Sequence, residues 1–180
     1  MSVRTHIASH YMDVAELSAV RSTCLRRHVG AVAIKDNRIL ATGFNGNVSG
    51  TPHCSICIRE QKGIKSGEDV ATCFAIHAEA NLVAQAAIFG ISLVGATVYV
   101  TNQPCLSCLK LLLQVKVRAI IFKDTYPDSL AMEFLEKASW RSSQYEHDNF
   151  TYTILRPIGN CTPLMGVFKG EECKLSYHFS

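Results

Sequence analysis

The chain has 180 residues, 48% of them apolar and 18% charged, with a formal net charge of +3. That length and composition suit one globular domain with one sizeable core and exclude a disordered chain. So mild a charge also argues against a nucleic-acid partner, which requires basic residues concentrated in a patch or stripe.

In chain order, residues 5–24 read as a helix, with Ile7, Tyr11, Val14, Ala15 and Leu17 forming an apolar stripe. Residues 29–34 and 39–42 read as two strands of a hairpin turning at 35–38. Gly43-Phe44-Asn45-Gly46 is expected to be a loop, because glycine and asparagine tolerate positive φ. Residues 47–72 form a long connection with a short helix near 56–62; a loop this long inside a domain is functional or pinned by something. A helix is expected over 75–89, stopped by Gly90, then a strand over 96–101. Pro104 opens a helix running to about Lys116, since a proline fits the first helical turn. A buried strand over 117–122, a helix over 128–138 and a last strand over 152–155 follow. The expected product is a three-layer α/β/α fold with a central five-stranded mixed sheet. Residues 1–157 are expected to make one domain, and residues 158–180 a tail to which no role is assigned.

There is no run of about 18 apolar residues, so no transmembrane helix is expected. Arg4, Asp13 and Glu16 near the N-terminus, with no apolar stretch among them, do not read as a secretory signal. A cytoplasmic location is expected. In a reducing compartment the eight cysteines point to metal more than to disulfides.

The strongest chemical signal is His77-Ala78-Glu79 at one helix start and Pro104-Cys105-Leu106-Ser107-Cys108 at another. Cys105 and Cys108, three apart, share a helix face. Unpaired N–H groups and the helix dipole favour thiolates in a first turn. One imidazole and two thiolates give a zinc ion three protein ligands and leave a fourth position for water, which marks a catalytic site. Such a metal lowers the pKa of water toward about 7. Glu79, close to the metal but directed differently from His77, suits proton transfer better than ligation. A lone C-x-x-C also fits a structural or redox site; its pairing with H-x-E is what selects catalysis.

This pairing resembles the cytidine and deoxycytidylate deaminase superfamily, over about residues 4–155. The resemblance implies addition of hydroxide to the pyrimidine carbon bearing the amine, a tetrahedral intermediate, and loss of ammonia. Arg21-Ser22, Val29-Gly30-Ala31-Val32, Gly43-Phe44-Asn45-Gly46, His77-Ala78-Glu79-Ala80-Asn81 and Tyr126-Pro127-Asp128 are similar to the deoxycytidylate branch. It implies that Asn45 meets the deoxyribose, that Arg21 or a member of Arg26-Arg27-His28 meets the phosphate, and that Tyr126 closes over the base. The alternatives are an Asn45 that serves only its turn, a Tyr126 that only packs on the next helix, and an ordinary surface Arg21. Two departures stand out. Phe44 occupies a position where the family usually has tyrosine, and Ala80 one where a larger apolar residue is common. The first puts regulation by nucleoside triphosphates in doubt and leaves the zinc chemistry untouched.

Cys24, Cys54, Cys57 and Cys73, with His53 as an alternative to Cys54, are similar to a further cysteine set in a bacterial subgroup of that branch. Four soft ligands from separated elements can close a tetrahedral structural zinc; buried free thiols are the alternative. Cys161 and Cys173 have no partners by spacing. The expected activity is hydrolysis of dCMP to dUMP and ammonia. A deaminase of dCTP, cytidine or another cytosine substrate is the rival among enzymes. A non-catalytic zinc-binding regulatory or DNA-uptake protein of the same fold is the rival of another class. The resemblance further implies a homo-oligomer.

Overall fold

The computed structural model describes residues 5–65, 68–125, 128–147 and 150–159. Helix α1 (Ile7–Ala19) is followed by strands β1 (Gly30–Lys35) and β2 (Arg38–Phe44), and by the two-residue β3 (Gly46–Asn47). A short α2 (Ile58–Gln61) lies in the long connection, which β4 (Ala75–Ile76) ends. Then come α3 (Ala78–Ile88), β5 (Thr97–Asn102), α4 (Leu106–Gln114), β6 (Ala119–Asp124), α5 (Ser129–Lys137), β7 (Trp140–His147) and β8 (Phe150–Pro157).

The main sheet runs β2-β1-β5-β6-β8-β7. Its β5–β6 pair is parallel and the other pairs are antiparallel, so the sheet is mixed, as expected. Alternate residues of each strand enter different cores. Val32, Ile34, Tyr99, Ile121 and Ile154 pack under α1 with Tyr11 and Met12. Ala31, Ala33, Val98, Val100 and Ile120 pack on the opposite face with Leu82 of α3, Leu109 and Leu112 of α4, and Leu135 of α5. Leu82, Leu109 and Leu112 are fully buried, each contributing about 1.5–3 kcal/mol by its removal from water. Three layers result, with the site-bearing helices on one face.

The hairpin turn forms at Asp36 and Asn37, with φ of 50° and 57°, and pairs Lys35 with Arg38. Positive φ at both central residues matches the right-handed twist of the flanking strands.

Several expectations need correction. The sheet has six strands, not five. β7 escapes sequence reading because its half-buried face carries Arg141, Ser143 and Tyr145, which give no apolar alternation. α1 stops at Ala19, short of Cys24, and Leu17 of the expected stripe is 71% exposed. Residues 43–46 are not a positive-φ loop: β2 runs through Phe44, and none of the four has positive φ. Glycine is needed there for close approach instead. A Cβ on Gly43 would lie 2.3 Å from the Ala78 carbonyl oxygen of α3, and one on Gly46 2.4 Å from Thr23 Oγ1. Pro104 precedes the N-cap of α4 rather than entering its first turn.

The long connection is closed at its base. β3 pairs with β4, Gly46 opposite Ile76 and Asn47 opposite Ala75. This two-residue ladder brings both ends of the excursion to the start of α3. Among the described residues no helix is long and apolar enough to cross a membrane.

Candidate active site

His77 is the N-cap of α3 and Cys105 the N-cap of α4, both with extended backbone and neither making a side-chain cap bond. Their side chains are therefore left for another partner. Cys108 lies three residues into α4 and is buried. The Cys105 and Cys108 sulfurs each lie 3.5 Å from His77 Nδ1. Metal bonds of about 2.3 Å to sulfur and about 2.0–2.1 Å to nitrogen, at a tetrahedral angle, would place N and S roughly 3.6 Å apart. The donors are set at zinc spacing by the fold. Among the described residues, they are the only three His, Cys, Asp or Glu donors gathered within 4.8 Å of one another.

The electrostatics agree. The Cys105 thiol is lowered to about 4, first because the Cys108 S–H donates to its sulfur and then through His77. Cys108 is pushed up for the reciprocal reason, with burial adding to it. The Cys105 sulfur raises the proton affinity of His77, against burial. A cation at this point would displace a proton that three donors already contest. Glu79, in the first turn of α3, is only 3% exposed, and that burial pushes its carboxyl above the ordinary range. Such a group can hold a proton and give it up within one reaction.

His77, Glu79 and Cys105 border a cavity of about 200 Å³, whose wall also includes Cys24, Arg26, Arg27, Asn45, Cys57, Arg59, Cys73 and Asn102. Asn45 is buried there. Its Oδ1 accepts from Ser22 Oγ at 2.7 Å and from the Val29 N–H at 2.8 Å, and its Nδ2 donates to the Arg27 carbonyl at 2.7 Å. It braces the wall as well as facing the cavity. Arg26 pairs with Glu60 at 3.3 Å. Arg21 is exposed and is not part of the wall. Tyr126 lies outside the described residues.

Cys24, Cys57 and Cys73, predicted to share a metal, do come to this one wall as half-buried free thiols. Cys54 accepts from Asn47 Nδ2 at 3.2 Å, and His53 is exposed. No three donors of this second set lie within 4.8 Å of one another.

Two residues escaped the sequence reading. Arg59 is buried on the wall, and its place two residues after Cys57 of the Cys54–Cys57 motif was the available signal. Asp128 joins two helices: its Oδ1 accepts from the Ala131 N–H of α5 at 3.0 Å, and its Oδ2 from the Leu106 N–H of α4 at 2.9 Å. Leu106 follows Cys105 directly, so the carboxylate fixes the turn that carries both cysteines.

Comparison with known proteins agrees with this site. The sequence model described as the cytidine and deoxycytidylate deaminase zinc-binding region matches residues 5–124. ComE operon protein 2 of Bacillus subtilis (strain 168) is 34% identical over 140 residues, spanning 77% of this chain and 71% of the relative. The deoxycytidylate deaminase of Schizosaccharomyces pombe is 34% identical over 142 residues, spanning 76% of this chain and 43% of that longer protein. Among solved structures, the dCMP deaminase of cyanophage S-TIM5 in complex with dCMP and dUMP superposes with a TM-score of 0.63 at 29% identity, covering 76% of this chain and 94% of that one. The chain belongs to the cytidine and deoxycytidylate deaminase family.

Proposed function

We propose that this protein is a zinc-dependent dCMP deaminase, converting dCMP and water to dUMP and ammonia. One observation carries the reading: the buried Glu79 carboxyl lines a cavity with His77 and Cys105, two of three metal donors already at zinc spacing. A structural zinc site has no need of that carboxyl, which disfavours a non-catalytic protein of the same fold. His77, Cys105 and Cys108 hold the zinc. When bound, the metal makes water acidic enough to act as a nucleophile at neutral pH. Glu79 takes a proton from the attacking water and delivers it to the departing amine. Asn45 keeps one N–H of its amide for a sugar hydroxyl, since Nδ2 carries two hydrogens and one goes to Arg27. The test is ammonia release from dCMP, dCTP, cytidine and deoxycytidine. dCMP should be the preferred substrate, and no release from any of the four would sink the reading.

A second, structural zinc on Cys24, Cys54, Cys57 and Cys73 belongs to the same proposal. Three of the thiols lie on one wall and none is in a disulfide, which suits a soft, tetrahedral donor set. Two zinc ions per chain are expected by elemental analysis; one would remove this part. Free thiols also suit a cytoplasmic location. The exposed apolar Ile88 and Phe89 at the end of α3 suit a homo-oligomer, which light scattering would reveal.

A further inference from the structure

The wall carries three arginines, and their circumstances differ. Arg26 is half-neutralised by Glu60 and reaches the Ile64 carbonyl at 3.4 Å. Arg27 is exposed. Arg59, in the first turn of α2, is only 9% exposed. Its Nη2 donates to the carbonyls of Lys65, at 2.8 Å, and Glu68. Its Nε is buried without a hydrogen-bond partner, and among the described residues no carboxylate pairs with it.

A guanidinium withdrawn from water without a counter-ion is costly. Two carbonyl dipoles offset part of that cost and, more usefully, fix the orientation of the plane. The fixed charge sits on the same wall as His77 and Glu79. A guanidinium held this way gives up little rotamer freedom when it meets an anion, and its planar fork suits a phosphate. Among the described residues, Glu79 is the only carboxylate on that wall, against three arginines.

We propose that Arg59 receives the 5′-phosphate of the substrate and so selects a nucleotide over a nucleoside. The proposal rests on the deaminase reading above and adds a specificity residue to it.

The experiment uses the full chain loaded with zinc. Calorimetry measures the binding of dUMP and of deoxyuridine to the wild type, Arg59→Gln and Arg59→Lys. In Arg59→Gln the preference for dUMP over deoxyuridine should shrink by about tenfold to a hundredfold, the scale of one charged hydrogen-bonded contact. Arg59→Lys should lose about threefold or more, because a point charge replaces the fork. A preference within about twofold of wild type in Arg59→Gln would reduce Arg59 to a clamp for its loop. Should that variant not fold, the same result in Arg59→Lys decides. A wild type that binds dUMP through Arg59 but releases no ammonia from dCMP overturns the deamination reading alone. One that deaminates dCMP with an unchanged preference in the variants overturns the Arg59 proposal alone.

Discussion

Two cysteine-bearing regions meet at one cavity and are held in different ways. The donors His77, Cys105 and Cys108 stand at the N-termini of helices whose inner faces are fully buried. Their spacing follows from core packing, so it is set before any ion arrives. The connection from Val48 to Phe74 contributes little to either core. It is held by the β3–β4 ladder, by the Arg59 bonds to two carbonyls and by the Asn47 bonds around Cys54. Two of its cysteines, Cys57 and Cys73, reach the wall, and no three donors of the second set lie within 4.8 Å of one another. Apolar packing presets one donor set; a segment without it leaves its thiols apart.

The largest expected effect tests the preset region. Glu79→Ala should keep its catalytic zinc by elemental analysis and lose about 10²–10⁴-fold in turnover; normal turnover would break the mechanism. Next comes Gly43→Ala. A methyl group 2.3 Å from the Ala78 carbonyl must push β2 from α3, costing about 1–3 kcal/mol in a denaturant titration. An unchanged midpoint would show that α3 is less constrained than its packing implies. Cys57→Ser probes the other region. Its melting temperature should fall by about 2–4 °C for each kcal/mol of pinning lost, a larger effect than its change in turnover. If it kept both its melting temperature and two zinc ions, the second site would be wrong. The smallest effect is expected from Asp128→Ser, which can still cap α5 but is too short to bridge to Leu106. Stability should drop by no more than about 1 kcal/mol, while zinc is lost to a chelator about 10–100-fold more readily. Equal chelator resistance would show that packing alone positions Cys105.

The catalytic donors were legible because each belongs to a short motif at a helix start, where local sequence decides both backbone and direction. The main layers were legible from apolar period, as with β5 and β6. β7 was not, since an edge strand packed through Arg141, Ser143 and Tyr145 carries no such period. Gly43 was read for its freedom in φ, whereas what matters is its missing Cβ, and only the packed helix reveals that. Arg21 and Arg59 show the same limit from two sides. Whether an arginine faces a cavity depends on tertiary placement: of the expected ones Arg26 and Arg27 line the wall and Arg21 does not, while the unexpected Arg59 does.

The bridge made by Asp128 bears on how the site comes into being during synthesis. A nascent chain that has emerged only as far as Cys108 already holds His77, Cys105 and Cys108. It lacks the carboxylate, 22 residues beyond Leu106, that fixes the backbone between the two cysteines. Early capture of an ion would therefore meet a looser turn than the finished protein presents, and the grip tightens only when β6 is in place and α5 begins.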